Sequence, residues 1–416
     1  MSQSLPASSA SPASPASPAS PKLERTGSVS TSHYTEQQLK FLRVKHSAPL
    51  KNMYFEDERK IFEPFTHNEL LGIMDVSESP HDKEKHKLPV VFGDLTKRLP
   101  YRVKVCLLET TNGDKIGLKI PMHIGQRKLL ISEVQFLSQL IDGKPLHERA
   151  DVVVYAGAAP SIHTPFLGEL FPRLKFFLYD PARFAIRDTA KIKIFQSLFT
   201  DDIAESYRDK KVAFISDIRS GSSTDDNFDD TVEENMRMQE RWVKIMRPVA
   251  SLLKFRLPYS ADGVAKDMKY LDGTCFLQDW APRATTELRL YVTDPDSEKL
   301  YDSLEYEEKL FYHNIISRSW EFYPHDFPIG FVYGVDHCFD CALEIHIWRE
   351  FIRNCRPEVD EDYYDEATAD LMNKSSRIIH KDLKLFHHGI DPDVPMFDKV
   401  QKLLPELHMY FISKQG

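Results

Sequence analysis

The sequence predicts an α/β fold built on a parallel sheet, and three short apolar runs carry that prediction. Val152 to Tyr155, Phe176 to Tyr179 and Val212 to Ile215 are each bounded by Gly, Pro or Asp and are separated by segments able to form helices. Runs without polar alternation suit strands covered on both faces, as parallel strands are.

The remaining elements follow in order. Residues 1–32 are Ser, Pro and Ala almost throughout and cannot bury a core, so they are expected to form a disordered tail. Pro12, Pro15, Pro18 and Pro21 recur every third residue, a polyproline II spacing, and Ser11, Ser14, Ser17 and Ser20 each stand in a Ser-Pro pair open to phosphorylation. Residues 33–124 read as an N-terminal arm and insertion. A helix and an extended stretch through Met53, Tyr54, Phe55 and Phe62 lead to a charged run from His81 to Lys87. A hairpin then joins Tyr101–Leu108 to Ile116–Ile120 through Asn112-Gly113. The core spans 125–330. Within it, Arg127 to Leu140 carries a helical apolar stripe, Asp201–Tyr207 and Thr231–Met246 supply further helices, and Leu288–Val292 supplies a strand. The acidic stretch Asp225–Glu234 is expected to be a loop leading into a helix. Residues 331–416 read as a mostly helical extension packed on the core, interrupted at Glu358–Glu366.

Composition excludes several classes. No run of about 18 apolar residues is present and the first 20 residues lack the pattern of a signal peptide, which predicts an intracellular protein without a membrane span. Five scattered cysteines predict free thiols rather than a disulfide framework. A formal charge of -9 argues against a surface that is basic all over, and leaves room for a local basic cleft.

In an open parallel sheet, ligands bind beyond the carboxyl ends of the strands. The first run is followed by the small-residue turn Gly157-Ala158-Ala159-Pro160-Ser161, the second by Asp180 and the third by Asp217. An acidic residue after the second strand is placed to hydrogen-bond a ribose hydroxyl pair, which points to a nucleoside ligand. The turn has one glycine and no basic residue, unlike a dinucleotide fingerprint or a phosphate-cradling loop. S-adenosylmethionine, which has no pyrophosphate, fits these features, although ordinary strand-to-helix turns share them.

Four segments carry a resemblance: Gly125-Gln126-Arg127-Lys128-Leu129-Leu130, Val153-Val154-Tyr155-Ala156-Gly157-Ala158-Ala159-Pro160, Ile215-Ser216-Asp217-Ile218-Arg219-Ser220 and Pro248 through Arg256. Ala281-Pro282 to Arg289 and Tyr306-Glu307-Glu308-Lys309 continue it. In this order they resemble the poxvirus poly(A) polymerase regulatory subunit family, which also acts as a cap-specific mRNA nucleoside-2′-O-methyltransferase. They are similar too to trypanosomatid cap ribose methyltransferases. The resemblance covers roughly residues 50–350 and leaves Pro80–Met122 as extra material. It implies a Rossmann-like S-adenosylmethionine-dependent methyltransferase sheet with flanking helices.

The resemblance implies a catalytic set of Lys128, Asp217, Lys254 and Glu287, with Lys254 as general base. Displacement at a sulfonium methyl needs an aligned hydroxyl that loses its proton. A base lysine must be neutral: burial and Lys128 favour that, whereas Asp217 and Glu287 oppose it, and residue types alone leave the balance open. The cofactor set implied is Gln126, Tyr155, Gly157, Ser161, Asp180, Arg183, Phe199 and Asp217. Ser161 stands where the poxvirus pattern has Gly, and Arg183 sits one position later than the family's arginine. For the cap, Phe62 and Tyr259 would stack on the cationic N7-methylguanine, with Glu307 and Asp262, next to the matching Ala261, as carboxylates; buried core aromatics are the other reading of Phe62 and Tyr259. Arg219, Arg247, Arg256 and Arg283 flank the site and are candidates for RNA phosphates, or else solvated surface arginines.

No metal is expected. Cys338-x-x-Cys341 with His337 and His346, and the pair His387-His388, lack partners at zinc-site spacing. The substrate implied is a capped RNA 5′ end, with a polymerase or the capping machinery as partner and a nuclear location. A non-catalytic RNA-binding subunit of a poly(A) polymerase and a small-molecule O-methyltransferase are the alternatives.

Overall fold

The computed structural model describes residues 85–98, 124–220, 228–259, 264–281, 285–318, 321–328, 332, 335 and 337–380. The Ser/Pro tail, the arm with Phe62, the hairpin expected over 101–120, and Asp262, Arg283 and His387-His388 lie outside the described residues.

A seven-stranded sheet forms the centre. Its strands are β1 (Val152–Ala156), β2 (Lys175–Tyr179), β3 (Ile192–Phe195), β4 (Val212–Ser216), β5 (Ala250–Phe255), β6 (Thr274–Phe276) and β7 (Leu288–Val292). They lie in the order β3-β2-β1-β4-β5-β7-β6. The first five are parallel, and β7 runs antiparallel to both β5 and β6. Every residue of the central strands β1 and β4 is buried, which is why they read as unbroken apolar runs. The outer strand β3 alternates, with Lys193 and Phe195 exposed, and its pattern is too polar to stand out in the sequence.

Two groups of helices cover the sheet. Helix α1 (Ile124–Leu137) packs with α2 (Thr164–Leu170), α6 (Phe339–Cys355) and α7 (Tyr364–His380). Helix α3 (Asp201–Ser206) packs on α4 (Phe228–Met246), which also meets β5. Helix α5 (Ser303–Tyr312) is capped by the Asp302 side chain, which accepts from the Glu305 amide at 2.8 Å, and it runs on into a π-helical turn at His313–Ser317. Residues from α6 and α7 belong to the same buried core as the strands.

The acidic stretch is a correction. Helix α4 begins at Phe228, ahead of the expected Thr231, so Asp229 and Asp230 are helical rather than part of a loop, while Glu233 and Glu234 fall within the helix expected from Thr231. Carboxylates in a first turn are stabilised by the unpaired amides and the dipole there. Cys338 caps α6, its sulfur facing the Cys341 amide at 3.5 Å, so the Cys-x-x-Cys spacing is that of a helix N-terminus. Among the described residues, no helix is long and apolar enough to cross a membrane, and no group of three or more His, Cys, Asp or Glu is arranged to hold a metal ion.

Candidate active site

The antiparallel register between β5 and β7 builds the centre of the site. It sets Lys254 directly opposite Arg289. Two cations facing each other across a ladder repel unless an anion lies between them. Asp217, the residue after β4, supplies one: its Oδ1 is 3.2 Å from Lys254 Nζ and 2.6 Å from Arg289. Glu287, one residue before β7, supplies the other. It lies 3.1 Å from Lys128 Nζ, 3.5 Å from Lys254, 3.5 Å from Arg289 and 3.4 Å from Arg219. The four residues named from the resemblance therefore meet in one cluster at the carboxyl ends of the parallel strands.

Arg219 and Arg289 join them. Arg219 extends from the loop after β4 onto Glu287, so it belongs to the charge cluster rather than standing apart from it. Arg289 was not singled out by sequence reasoning. Its side chain is 3% exposed, and the Gln278 side chain accepts from its Nε at 3.1 Å. A charged residue at an interior position of a short apolar strand was the signal available for finding it.

Four cations thus surround two carboxylates. Burial alone would raise the Glu287 carboxyl, but Lys128, Lys254, Arg289 and Arg219 hold it well below the usual carboxylate range. Asp217 likewise opposes its burial with Arg289, Lys254 and Lys128 and ends below its ordinary value. Burial pushes the Lys128 ammonium below the usual lysine value, against Glu287, with Arg289 and Lys254 adding to the effect. Arg289 is pushed up by Asp217 and Glu287 despite its burial, and so stays charged.

Beside this cluster lies the turn after β1. Gly157 has φ +78°, and a Cβ there would lie 2.8 Å from the backbone of Asp217 and Ile218. The glycine thus lets the turn after β1 close against the residue after β4, which adds a structural need to the ligand access expected from sequence. Ser161 is fully buried at φ +60°, and its hydroxyl donates to the Ala158 carbonyl at 2.6 Å. The hydroxyl closes the turn on itself, which accounts for a side chain at this position. Asp180 accepts from the Ala159 amide at 3.0 Å and from the Ala182 amide at 2.8 Å. These residues fit a nucleoside-bearing donor: a bare-backbone turn, a carboxylate fixed at the end of β2, and a second carboxylate beyond β4.

The other expected cofactor residues divide. Tyr155 is buried on β1, and Gln126, at the start of α1, reaches across to the turn. Phe199 is 6% exposed and packs edge-on against Tyr179 and Trp242 at 5.2 and 4.9 Å. Arg183 is exposed in the loop after Asp180. For cap recognition, Tyr259 is half-buried, with the Arg256 guanidinium 4.5 Å from its ring centre. The Thr286 hydroxyl reaches the Tyr259 hydroxyl at 3.5 Å, and the Thr286 carbonyl accepts from the Tyr306 hydroxyl at 2.5 Å. Tyr259 is linked in this way to α5, where Glu307 is 2% exposed. Phe62 and Asp262 lie outside the described residues.

The arginines expected to flank the site are also separated by the structure. Arg256 is 7% exposed and ion-paired with Asp229 at the start of α4. Arg247 follows α4 and precedes β5, at the amino ends of the parallel strands, where it is paired with Asp296. It is therefore at the opposite end of the sheet from the site, a correction to the expectation from sequence. Sequence nearness to β5 gave no information about which end of the strand Arg247 would reach.

An α/β sheet with a charge cluster and a small-residue turn at the carboxyl ends of its strands defines a class of ligand-binding protein, and comparison narrows it. A sequence profile described as poly A polymerase regulatory subunit matches residues 103–351. The chain belongs to that family. The match begins within the segment expected to be extra material, so residues 103–122 are part of the family's span. The cap-specific mRNA (nucleoside-2′-O-)-methyltransferase of myxoma virus (strain Lausanne) is 32% identical over 222 residues, 48% of this chain and 63% of that protein. The protein of the same name from fowlpox virus (strain NVSL) is 33% identical over 223 residues, covering 49% and 71%. The chain thus spans less than two thirds of the myxoma protein's length. A solved structure of bluetongue virus VP4, described as a multifunctional RNA-capping production-line, covers 80% of this chain and 61% of that one at 14% identity and a TM-score of 0.34, too little overlap to carry an argument.

Proposed function

We propose that the chain transfers a methyl group from S-adenosylmethionine to a ribose 2′-hydroxyl near the 5′ end of N7-methylguanosine-capped mRNA. The observation that carries this reading is the meeting of Lys128, Asp217, Lys254 and Glu287 at the strand ends. The curated relatives named as cap-specific 2′-O-methyltransferases support it.

The donor would supply an electrophilic methyl group on a sulfonium. Gly157, Ser161 and Asp180 would hold its nucleoside part, and Gln126, Tyr155 and Asp217 its remainder. The chain's own task is then to hold and deprotonate the hydroxyl. Lys254 accepts that proton. Asp217 fixes the lysine by its Oδ1, and Arg289, on the same oxygen, keeps the carboxylate ionised so that it orients rather than captures the proton. Glu287 holds Lys128 beside them. The excess of cations also favours an RNA backbone over a neutral acceptor. Tyr259, Phe62, Glu307 and Asp262 would take the methylated guanine. Finer features of the same reading are the second nucleotide of a spliced-leader cap as acceptor and a nuclear location.

The test is transfer of labelled methyl from S-adenosylmethionine to short capped RNAs carrying a pre-installed 2′-O-methyl at nucleotide one, two, three or four, with uncapped RNA as control. Loss of incorporation with one substrate alone is expected and names the acceptor. The family's description favours a second reading, an RNA-binding subunit serving a poly(A) polymerase without chemistry of its own. No incorporation into any RNA, with cap binding intact, would replace the first reading by the second.

A further inference from the structure

Behind the turn after β1 lies a buried polar chain that the catalytic scheme does not use. Gln126, His163, Glu133 and Tyr155 form it, joining α1, the turn and β1. The side chains of His163 and Glu133 are both fully buried. His163 Nδ1 lies 2.9 Å from Gln126 Oε1, and the Ile162 amide donates to the same oxygen at 3.2 Å. A backbone donor fixes that atom as an acceptor, so Nδ1 must carry a hydrogen. On the other side, Nε2 lies 2.9 Å from Glu133 Oε2. One proton therefore sits between ring and carboxyl, and the couple as a whole is neutral wherever that proton rests. Neutrality is what permits two ionisable groups at this depth. The Tyr155 hydroxyl faces the same carboxyl group.

The two ends of this chain, Gln126 and Tyr155, are both in the set proposed to meet the methyl donor. We propose that Glu133 and His163 are positioning residues for the donor, an inference that rests on the methyltransferase reading. Sharing one proton, they lock the Gln126 amide and the Ile162 backbone into one geometry and hold the Tyr155 hydroxyl in place, so the donor meets a preformed wall. Neither residue touches the reacting atoms. Their loss acts on donor affinity and leaves the chemical step and the cap site alone.

The test compares Glu133→Leu and Glu133→Gln with the wild-type chain. Donor binding is measured by calorimetry with S-adenosylmethionine, turnover with capped RNA, and hydrogen exchange at the Ile162 amide. Glu133→Leu is expected to weaken donor binding and raise donor KM about tenfold or more, as loss of a buried charge-assisted hydrogen bond does. Its kcat at saturating donor and its KM for capped RNA stay near wild type. The Ile162 amide exchanges faster while amides of α6 do not. In Glu133→Gln the new amide donates to a neutral His163 Nε2, which restores donor binding. Wild-type donor affinity in Glu133→Leu, or an equal loss of kcat and of both KM terms, would overturn the proposal. A wild-type chain that binds no donor would instead remove the methyltransferase reading, and Ile162 exchange in Glu133→Leu would then decide the positioning role by itself.

Discussion

Two consecutive residues of α1 enter two different buried charge networks, and the networks are opposite in character. Lys128 joins the cluster at the strand ends, where Lys128, Lys254, Arg219 and Arg289 face Asp217 and Glu287. Arg127 turns about 100° further round the helix. It forms a bidentate pair with Glu344 of α6 at 2.7 and 3.0 Å. Trp280 Nε1 donates to the same carboxylate at 2.8 Å, and Arg318 pairs with Asp340 nearby. Asp279 completes this second network, in which three carboxyl groups face two arginines.

In each network burial weakens the charge of the members in excess. In the cation-rich cluster burial lowers both Lys128 and Arg219 below their ordinary values. In the acid-rich network the member affected is Asp279, 1% exposed, whose carboxyl burial and the neighbouring Glu344 and Asp340 push well above its ordinary value. The cation-rich cluster keeps both of its carboxylates below their ordinary range, whereas the joint that holds α1, the 277–281 loop and α6 together tolerates a carboxyl pushed above it. The cation-rich cluster faces the strand ends where substrate would enter, and the acid-rich one lies between helices.

Breaking one strong pair in each network should have the largest effect on stability. Glu287→Gln leaves four cations facing Asp217 alone, and Glu344→Leu leaves Arg127 buried without its partner. Each is expected to cost about 3–5 kcal/mol in denaturant unfolding. Glu287→Gln is also expected to lessen the acid slope of stability, leaving the part that Asp217 supplies. Because Glu287 and Asp217 have depressed values when folded, the unfolded chain binds more protons below the ordinary carboxylate range. Their contribution is full above that range and is lost as pH falls toward the folded values.

Next in size is Gly157→Ala, which forces a Cβ against the Asp217 backbone at a positive φ. We expect a cost of about 1–3 kcal/mol and a displaced Asp217, seen as a fall in turnover larger than the change in donor affinity. Asp279→Asn has the opposite sign. A raised folded value means the folded chain holds the extra proton, so stability falls as pH rises from the ordinary carboxylate range. The amide removes that loss, and a gain of about 1 kcal/mol, or roughly 2–4 °C in Tm, is expected at pH 7. The gain should vanish near pH 4, which thermal melts at the two pH values would check. Smallest is Ser161→Gly, expected to change stability by about 1 kcal/mol or less, since it trades one hydroxyl bond for relief of a left-handed backbone.

The sequence made the central sheet readable because β1, β2 and β4 are covered on both faces or nearly so, and their residues had no other way to be apolar together. Strands β3 and β6 are short or alternating and carried no such signal. Lys128, Asp217, Lys254 and Glu287 were identified one by one through resemblance, but their charge balance was not. That balance depends on Arg289 lying opposite Lys254, and an antiparallel register is set by three-dimensional pairing rather than by spacing along the chain. The same limit hid the Arg127 network and the His163–Glu133 couple, whose members are 217 and 30 residues apart. Arg247 shows the converse: adjacent in sequence to β5, it lies at the far end of the strand.

The most direct test of the cation-rich cluster as the catalytic centre is methyl transfer to capped RNA by Lys254→Ala at saturating S-adenosylmethionine, with donor binding measured on the same preparation. The cluster described here predicts a fall of about 10²–10⁴-fold in turnover with donor affinity near that of the wild-type chain. Turnover close to wild type would contradict it and would place the proton's acceptor elsewhere.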